Sequence, residues 1–256
     1  MRIAIAGGTG TLGSHVTTEL TARGHDVRVL SRRSQRYPID LTTGRGLAAA
    51  LDGCDVVIDA SNNSSPKRAQ QVMVDGSRRL LAAERECGVA HHVGISIVGC
   101  ELVPFGYYRV KTEQEQVISA GPVPWTLVRA TQFHELLDTW LTAAARWHVM
   151  PMLNARFQTV AATEVARAVA DVTELGPGRG RMQVAGPQIM TAADLVRTWL
   201  SGTGNRAVRV PVLVPGKLGR ALRAGALTAE HPDVRGTQTF AEWLAARGVQ
   251  AAASRP

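Results

Sequence analysis

Hydrophobic and polar positions change period several times along this chain. Short, nearly unbroken apolar runs fall at residues 3–6 (IAIA), 27–30 (VRVL), 55–60 (DVVIDA), 91–98 (HHVGISIV) and 126–130 (TLVRA). Runs of this length, rich in Val and Ile, read as strands. Their lack of alternation marks strands covered on both faces, as in a parallel sheet. Between them the period lengthens. Val16 and Leu20 repeat four apart, with Gly24 as a stop, and Val72, Gly76, Leu80, Ala83 and Cys87 recur at spacings of three and four. Each set lines one helix face. Strand alternating with helix predicts an α/β fold: a doubly wound parallel sheet with right-handed crossovers.

Beyond residue 150 the alternation is less regular. Residues 157–161 (FQTVA), 182–186 (MQVAG) and 208–212 (VRVPV) are candidate strands, and GPGRGR at 176–181 reads as a turn. Thr191 with Asp194, and Thr239 with Glu242, have the spacing of capping boxes and predict helix starts. No repeat or independent linker interrupts the chain. The expected organisation is a first domain over residues 1–150 and a smaller C-terminal region over 151–256 packed on the same core, with a frayed tail (QAAASRP).

Composition narrows the class. The 256 residues are 45% apolar, enough to bury one full core. The 29 Lys and Arg exceed the 21 Asp and Glu by a net charge of +8. The basic residues, Arg32, Arg33, Arg78, Arg79, Arg179, Arg220 and Arg223 among them, are scattered without a run. That suits a phosphate-bearing small molecule and argues against nucleic acid. Cys54, Cys87 and Cys100 show no C-x-x-C spacing and read as small hydrophobes in a reducing compartment. The opening MRIAIAGG reaches a glycine turn too soon for a signal peptide, and no apolar run approaches about 18 residues. A cytoplasmic protein without membrane association is expected.

The most informative stretch follows the first strand. GGTGTLG, residues 7–13, fits Gly8-x-Gly10-x-x-Gly13 and also Gly7-x-x-Gly10-x-x-Gly13. Absent side chains let the backbone N–H groups of Gly7, Gly8, Thr9, Gly10, Thr11, Leu12 and Gly13 approach a pyrophosphate, and the helix that follows presents its positive end. Strand before and helix after are the context this motif requires. At the end of the second strand an NAD site usually carries an acid for the ribose hydroxyls. Here VLSRRS offers Ser31, Arg32 and Arg33, which suit a 2′-phosphate and point to NADP. Ligands of such sheets sit at the carboxyl ends of the strands. Asp40 and Leu41 therefore become candidates near the adenine, and Ala60, Ser61 and Asn62, from DASNNSS, candidates along the ribose.

Taken in order, the GxxGxxG loop, DASNNSS, VDGSRRLLAAERECGV, GISIVG and YYRVK make the chain similar to the short-chain dehydrogenase/reductases, in particular their atypical, NmrA-like NAD(P)-binding branch. The resemblance is strong to about residue 129 and loose beyond. It implies a Rossmann domain with a small C-terminal substrate-binding region. It also implies a Y-x-x-x-K pair at Tyr107 and Lys111, in which the tyrosine donates a proton and the lysine both lowers the phenol pKa and holds the nicotinamide ribose. Spacing by four puts the two on one helix face. The family serine that steadies a substrate carbonyl falls on Ser96, although GISIVG also aligns with Gly94 at that position. Asp75 stands where extended relatives carry an asparagine for a water relay, and an ionised aspartate accepts hydrogen bonds without donating them. Gln132, Phe133 and His134, after the fifth strand, and Tyr108, beside the pair, are candidates for a substrate pocket. His91 and His92 are adjacent on a strand and point to opposite faces, so no metal site is predicted.

The expected function is an NADPH-dependent reductase of a small carbonyl or related unsaturated group. The resemblance also admits a non-catalytic NADP(H)-sensing regulatory protein, and an NAD(P)-dependent epimerase or dehydratase. The expected partner is a small-molecule substrate, and a homodimer is compatible with the reading.

Overall fold

The computed structural model describes residues 1–103 and 105–253, with side chains for all of these but 66, 67 and 250–253. The first half alternates as its periodicity predicts. β1 (Arg2–Ala6), α1 (Thr11–Ala22), β2 (Asp26–Leu30), α2 (Leu47–Leu51) and β3 (Val56–Asp59) lead to a short α3 (Pro66–Ala69). A π-helical turn (Gln70–Val74) joins α3 to α4 (Asp75–Glu86), and β4 (His91–Ile97), α5 (Gly106–Ser119) and β5 (Trp125–Ala130) follow. The second half contains α6 (His134–Ala145), β6 (Val149–Leu153), β7 (Arg156–Phe157), α7 (Ala162–Leu175), β8 (Gly180–Ala185) and β9 (Met190–Thr191). It closes with α8 (Ala192–Thr203), β10 (Val208–Val212), α9 (Gly216–Arg223), β11 (Val234–Arg235) and α10 (Phe240–Ala253). The tail expected to fray is helical to Ala253, and residues 254–256 lie outside the described residues.

Seven strands pair in the order β11-β8-β5-β4-β3-β1-β2, every pair parallel. Order reverses at β1, with β2 to one side and β3 to the other, and loops leaving the carboxyl ends of the strands there open a crevice. Ile3, Ile5, Val93 and Val128 on one face pack against Leu12, Val16 and Leu20 of α1 and Val165 and Val169 of α7. On the opposite face, Ala4, Ala6 and Val57 meet Leu47 and Leu51 of α2 and Leu80 of α4, while Leu127 meets Ile118 of α5. Helices on both faces explain why the strands read as apolar runs rather than alternating ones. Each fully buried Leu or Ile contributes roughly 1.5–3 kcal/mol.

A third apolar cluster stands apart from the sheet. Leu137 and Leu141 of α6, Met150 of β6, Leu195 and Trp199 of α8 and Phe240 and Leu244 of α10 form it. Beside it lie a parallel pair, β6 with β10, and an antiparallel pair, β7 with β9. The expected boundary near residue 150 does not divide these layers. α6 precedes it and belongs to the third cluster, whereas β8 and β11, which complete the central sheet, and α7, which covers one face of it, follow. The cause is the free edge of β5, whose backbone groups find partners in β8. Both capping boxes form: Thr191 accepts from the Asp194 amide at 3.2 Å, and Thr239 from the Glu242 amide at 3.2 Å.

The strand expected at 157–161 is confined to Phe157. Gln158, fully buried, donates to the Gly186 carbonyl (2.9 Å) and accepts from the Ala229 amide (2.7 Å), so its side chain replaces a ladder. Among the described residues no helix is long and apolar enough to cross a membrane.

Candidate functional site

The glycine loop leaves β1 in a conformation few residues adopt. Gly7 has φ +76°, and a Cβ there would lie 2.7 Å from the Ala60 carbonyl oxygen. A Cβ on Gly13 would lie 2.2 Å from the Gly7 carbonyl oxygen, whereas Gly8 and Gly10 are less tightly enclosed, at 3.0 and 3.2 Å from their nearest neighbours. Leu12 anchors the loop from the core, while Thr9, Gly10 and Thr11 are exposed. α1 opens at Thr11 with no acidic residue in its first turn and no side-chain cap, so its free N–H groups and positive end face outward. A backbone cradle that a Cβ would fill, at an uncapped helix start, fits the pyrophosphate of a dinucleotide.

The neighbouring strand ends flank the cradle. The Gly7 amide donates to the Leu30 carbonyl at 3.2 Å, bringing the loop against the end of β2. Ser31 follows, its hydroxyl accepting from the Arg33 amide at 3.2 Å. Arg32 and Arg33 are exposed, and among the described residues neither forms an ion pair. Asp40 accepts from the Thr42 hydroxyl (2.7 Å) and amide (2.9 Å), bonds that hold its carboxyl below the usual range, with Arg32 and Arg45 adding their charge. Leu41 is buried against Gly76, its carbonyl held by Arg79 at 3.1 Å. On the other side, the Ala60 amide donates to the Ala6 carbonyl at 3.0 Å, placing residues 60–62 beside the cradle.

The first turn of α5 meets that loop. The Tyr107 hydroxyl donates to Asn62 Oδ1 at 2.9 Å, and Tyr108 packs edge-on against Tyr107 with ring centroids 5.9 Å apart. Lys111 is buried, and its ammonium donates to the Ile95 carbonyl and to Gln114 Oε1, both at 2.8 Å. The expected effect of Lys111 on the phenol is therefore corrected. Burial pushes Tyr107 up to about 12, and the lysine charge is directed at Ile95 and Gln114. Burial likewise lowers Lys111 from its ordinary value, against the opposing charge of Asp59.

Ser96 faces the underside of α5. Its hydroxyl lies 3.9 Å from Cys100 Sγ, one helical turn beyond Lys111, where Glu115 and Arg129 pair at 2.6 and 2.8 Å. Among the described residues no hydrogen bond joins Ser96 to Tyr107 or Lys111. Gly94 shares this face, and a Cβ there would lie 2.8 Å from Ile118, so the position is closed by packing. Asp75 is half-exposed and pairs with Arg78 at 2.7 Å.

The three residues expected to line a pocket after β5 are engaged otherwise. Gln132 donates to the Leu227 carbonyl (3.0 Å) and accepts from the Gln158 amide (3.2 Å). Phe133 packs on the cluster under α1 and α7. His134 is wholly buried against Phe240 and Trp243, with Nε2 3.1 Å from the Gln238 carbonyl, and burial lowers its pKa. It opens α6 as a packing residue. A groove of about 580 Å³ runs along Arg109, Thr112, Glu113 and Gln116, the face of α5 opposite Lys111.

Beneath Tyr107 and Lys111 lies a polar group that the sequence reading passed over. Asp59, fully buried at the end of β3, accepts from the Ser61 amide (3.0 Å) and hydroxyl (2.5 Å) through Oδ1. Through Oδ2 it meets the Ser77 hydroxyl at 2.8 Å and the Gln114 amide nitrogen at 3.2 Å. A signal was present: Ser77 and Gln114 occupy core-facing positions, Ser77 four after Met73 and Gln114 four before Ile118, where apolar residues are the rule.

Comparison with known proteins bears on this geometry. Residues 7–174 match the family described as NAD(P)H-binding. The chain is 30% identical over 207 residues to a (4-alkanoyl-5-oxo-2,5-dihydrofuran-3-yl)methyl phosphate reductase of Streptomyces griseus, covering 75% of this chain and 70% of that one. It is 24% identical over 243 residues to the photosystem II assembly factor Ycf39 of Cyanophora paradoxa, covering 83% and 72%. Among solved structures, an NADPH-dependent quinone oxidoreductase of Escherichia coli, also solved with NADPH, shares the fold with a TM-score of 0.77 at 18% identity, over 96% of this chain and 99% of that one.

Proposed function

The chain belongs to the NAD(P)H-binding family, and we propose that within it the protein is an NADPH-dependent reductase of a small conjugated carbonyl or related unsaturated group. The observation that carries this reading is the contact between Tyr107 and Asn62. Gly7 abuts Ala60, and two residues further on Asn62 accepts from the phenol. A proton donor thus stands at the same end of the sheet as the phosphate cradle. A nicotinamide held by the glycine loop would supply the hydride. Tyr107 then delivers its proton to the substrate oxygen that gains charge, and its pKa of about 12 makes it a neutral donor at physiological pH. Lys111, on the same helix face, contributes positive charge that stabilises the developing anion. Arg32 and Arg33, exposed beside the end of β2 and without an ion pair among the described residues, favour a 2′-phosphate and hence NADP.

Relatives support the substrate class. One reduces a dihydrofuranone phosphate and one a quinone by name, and both structures contain a carbonyl conjugated to a double bond. The test is NADPH consumption measured over ketones, aldehydes, imines, enones and quinones, with Tyr107→Phe as control. The expected result is turnover on a conjugated carbonyl that falls by about 100-fold or more in the variant, with NADPH affinity little changed. Undiminished turnover by Tyr107→Phe would overturn the role of the tyrosine.

A second reading has its own observation. Lys111 is directed at a backbone carbonyl and Gln114 rather than at the phenol, and one relative is an assembly factor. A cofactor-responsive binding protein without turnover would fit both. It predicts no NADPH consumption in the screen and a partner complex that changes with the NADP/NADPH ratio.

A further inference from the structure

We propose that Asp59 is the positioning residue for Lys111, acting through the amide of Gln114. Lys111 has two acceptors within reach, the Ile95 carbonyl and Gln114 Oε1, and no carboxylate touches it among the described residues. Gln114 turns its other end to Asp59 Oδ2 and Ser77 Oγ, at 3.2 and 3.0 Å. The orientation of this amide is dictated by its neighbours. An ammonium only donates and an ionised carboxylate only accepts, so the oxygen must face Lys111 and the nitrogen Asp59. The amide dipole lies head-on between a buried cation and a buried anion.

The surroundings single out Asp59. The titratable groups facing Lys111 are Asp59 from β3, Cys100 from the turn after β4, and Glu115 from its own helix. Glu115 is already paired with Arg129 at 2.6 and 2.8 Å, with Arg181 at 3.4 Å beyond. Burial pushes the Cys100 thiol up, so it is neutral. Behind Asp59, His92 and Glu84 are bonded to each other at 2.8 Å. Asp59 itself meets neutral donors on Ser61 and Gln114 and the Ser77 hydroxyl, whose single proton is shared with the Met73 carbonyl, and among the described residues no cation. Among the described residues neither Lys111 nor Asp59 has an ion-pair partner, and the Gln114 amide stands between them, while the bonded His92/Glu84 pair also lies within reach of the Asp59 carboxylate. A buried charge without such compensation is strongly unfavourable.

The same carboxylate shapes the loop above. Oδ1 fixes Ser61, and Asn62, the next residue, holds the Tyr107 hydroxyl. Both members of the Tyr107/Lys111 pair are thereby connected to one buried acid. The functional meaning rests on the proposed reductase, but the connection itself is tested without cofactor or substrate.

The chain's lysines are Lys67, Lys111 and Lys217, so the ε-carbon resonance of Lys111 in lysine-labelled protein can be followed by NMR and assigned by its loss in Lys111→Arg. In Asp59→Asn the new amide sets a donor against the Gln114 nitrogen. Gln114 turns over and offers its own donor to Lys111. The Lys111 titration midpoint is expected to fall by about one unit or more. The double variant Asp59→Asn with Gln114→Glu exchanges amide and carboxylate, restores every donor–acceptor match and should return the midpoint to the native value or above. An unchanged midpoint in Asp59→Asn, or a double variant as low as the single, would overturn the proposal. Should Asp59→Asn fail to fold, Gln114→Met removes both bonds at similar size, and the same fall is required of it. If the midpoint moves as expected while Tyr107→Phe retains full turnover, the positioning stands and the reductase reading is the part that fails.

Discussion

Replacing Gly13 by alanine tests the phosphate cradle directly. The added Cβ would sit 2.2 Å from the Gly7 carbonyl oxygen and 2.8 Å from Gly8 Cα. Both are backbone atoms, so no side chain can swing aside. To reach even the shortest contact that real carbon atoms tolerate, the turn must open by roughly 0.8 Å. Overpacking of this kind costs about 1–3 kcal/mol of stability, or roughly 2–4 °C in Tm per kcal/mol for a chain of this size. The larger effect falls on the ligand. A charge-assisted N–H to phosphate bond contributes about 1.5–3 kcal/mol, so losing one weakens NADPH binding by about 10- to 100-fold. Fluorescence titration with NADPH, alongside thermal unfolding with and without the cofactor, separates the two effects. Gly178→Ala is the control, because its Cβ would meet only Thr126 Oγ1, at 4.0 Å. A Gly13→Ala protein that unfolds earlier but binds NADPH with native affinity would falsify the assignment of this loop to the pyrophosphate.

Two further outcomes follow from other parts of the structure. Arg32→Asp should weaken NADPH binding by about 10-fold or more while leaving NADH within a few-fold, and equal losses measured for both would remove the case for NADP. Burial holds His91 at about 4 in the folded chain, against about 6.5 when unfolded. The unfolded state therefore binds a proton first as pH falls, and stability present above about 6.5 is lost progressively down to about 4, by up to about 3 kcal/mol. Urea unfolding at both ends of that window should show the loss, and His91→Gln should remove most of it; an undiminished slope in the variant would refute the assignment.

The fold was legible where burial on both faces left its mark. The runs at 3–6, 27–30, 55–60, 91–98 and 126–130 appear as strands, within a residue at each end, because helices cover both sides of the sheet. The glycine loop was legible because close backbone approach leaves a residue no alternative. The strand expected over 157–161 stops at Phe157, because Gln158 satisfies two distant backbone groups with its side chain, and no local pattern announces a partner at Ala229. His134 looked like a pocket residue from its place after β5. Its actual surroundings, Phe240 and Trp243, come from the far end of the chain. The Tyr107/Lys111 spacing was visible, yet the lysine's surroundings were not, since the Ile95 carbonyl and, behind Gln114, Asp59 come beside it only through the packing of α5 on the sheet. Polar residues at apolar positions, Ser77 and Gln114, were the available clue to that network.

The interleaving of the two layers has a consequence for how the chain is made. β5 is complete at Ala130, but the strand that covers its edge begins only at Gly180, and β11 arrives at Val234. During synthesis the sheet must therefore wait with an open edge while α6, β6, β7 and α7 emerge. An uncovered apolar strand is a template for pairing with other chains. A nascent chain halted near residue 150 would also lack α7, which covers α1 and one face of the sheet, and would be prone to associate through β5. The second half of the molecule thus supplies the strands that close the edge the first half leaves open.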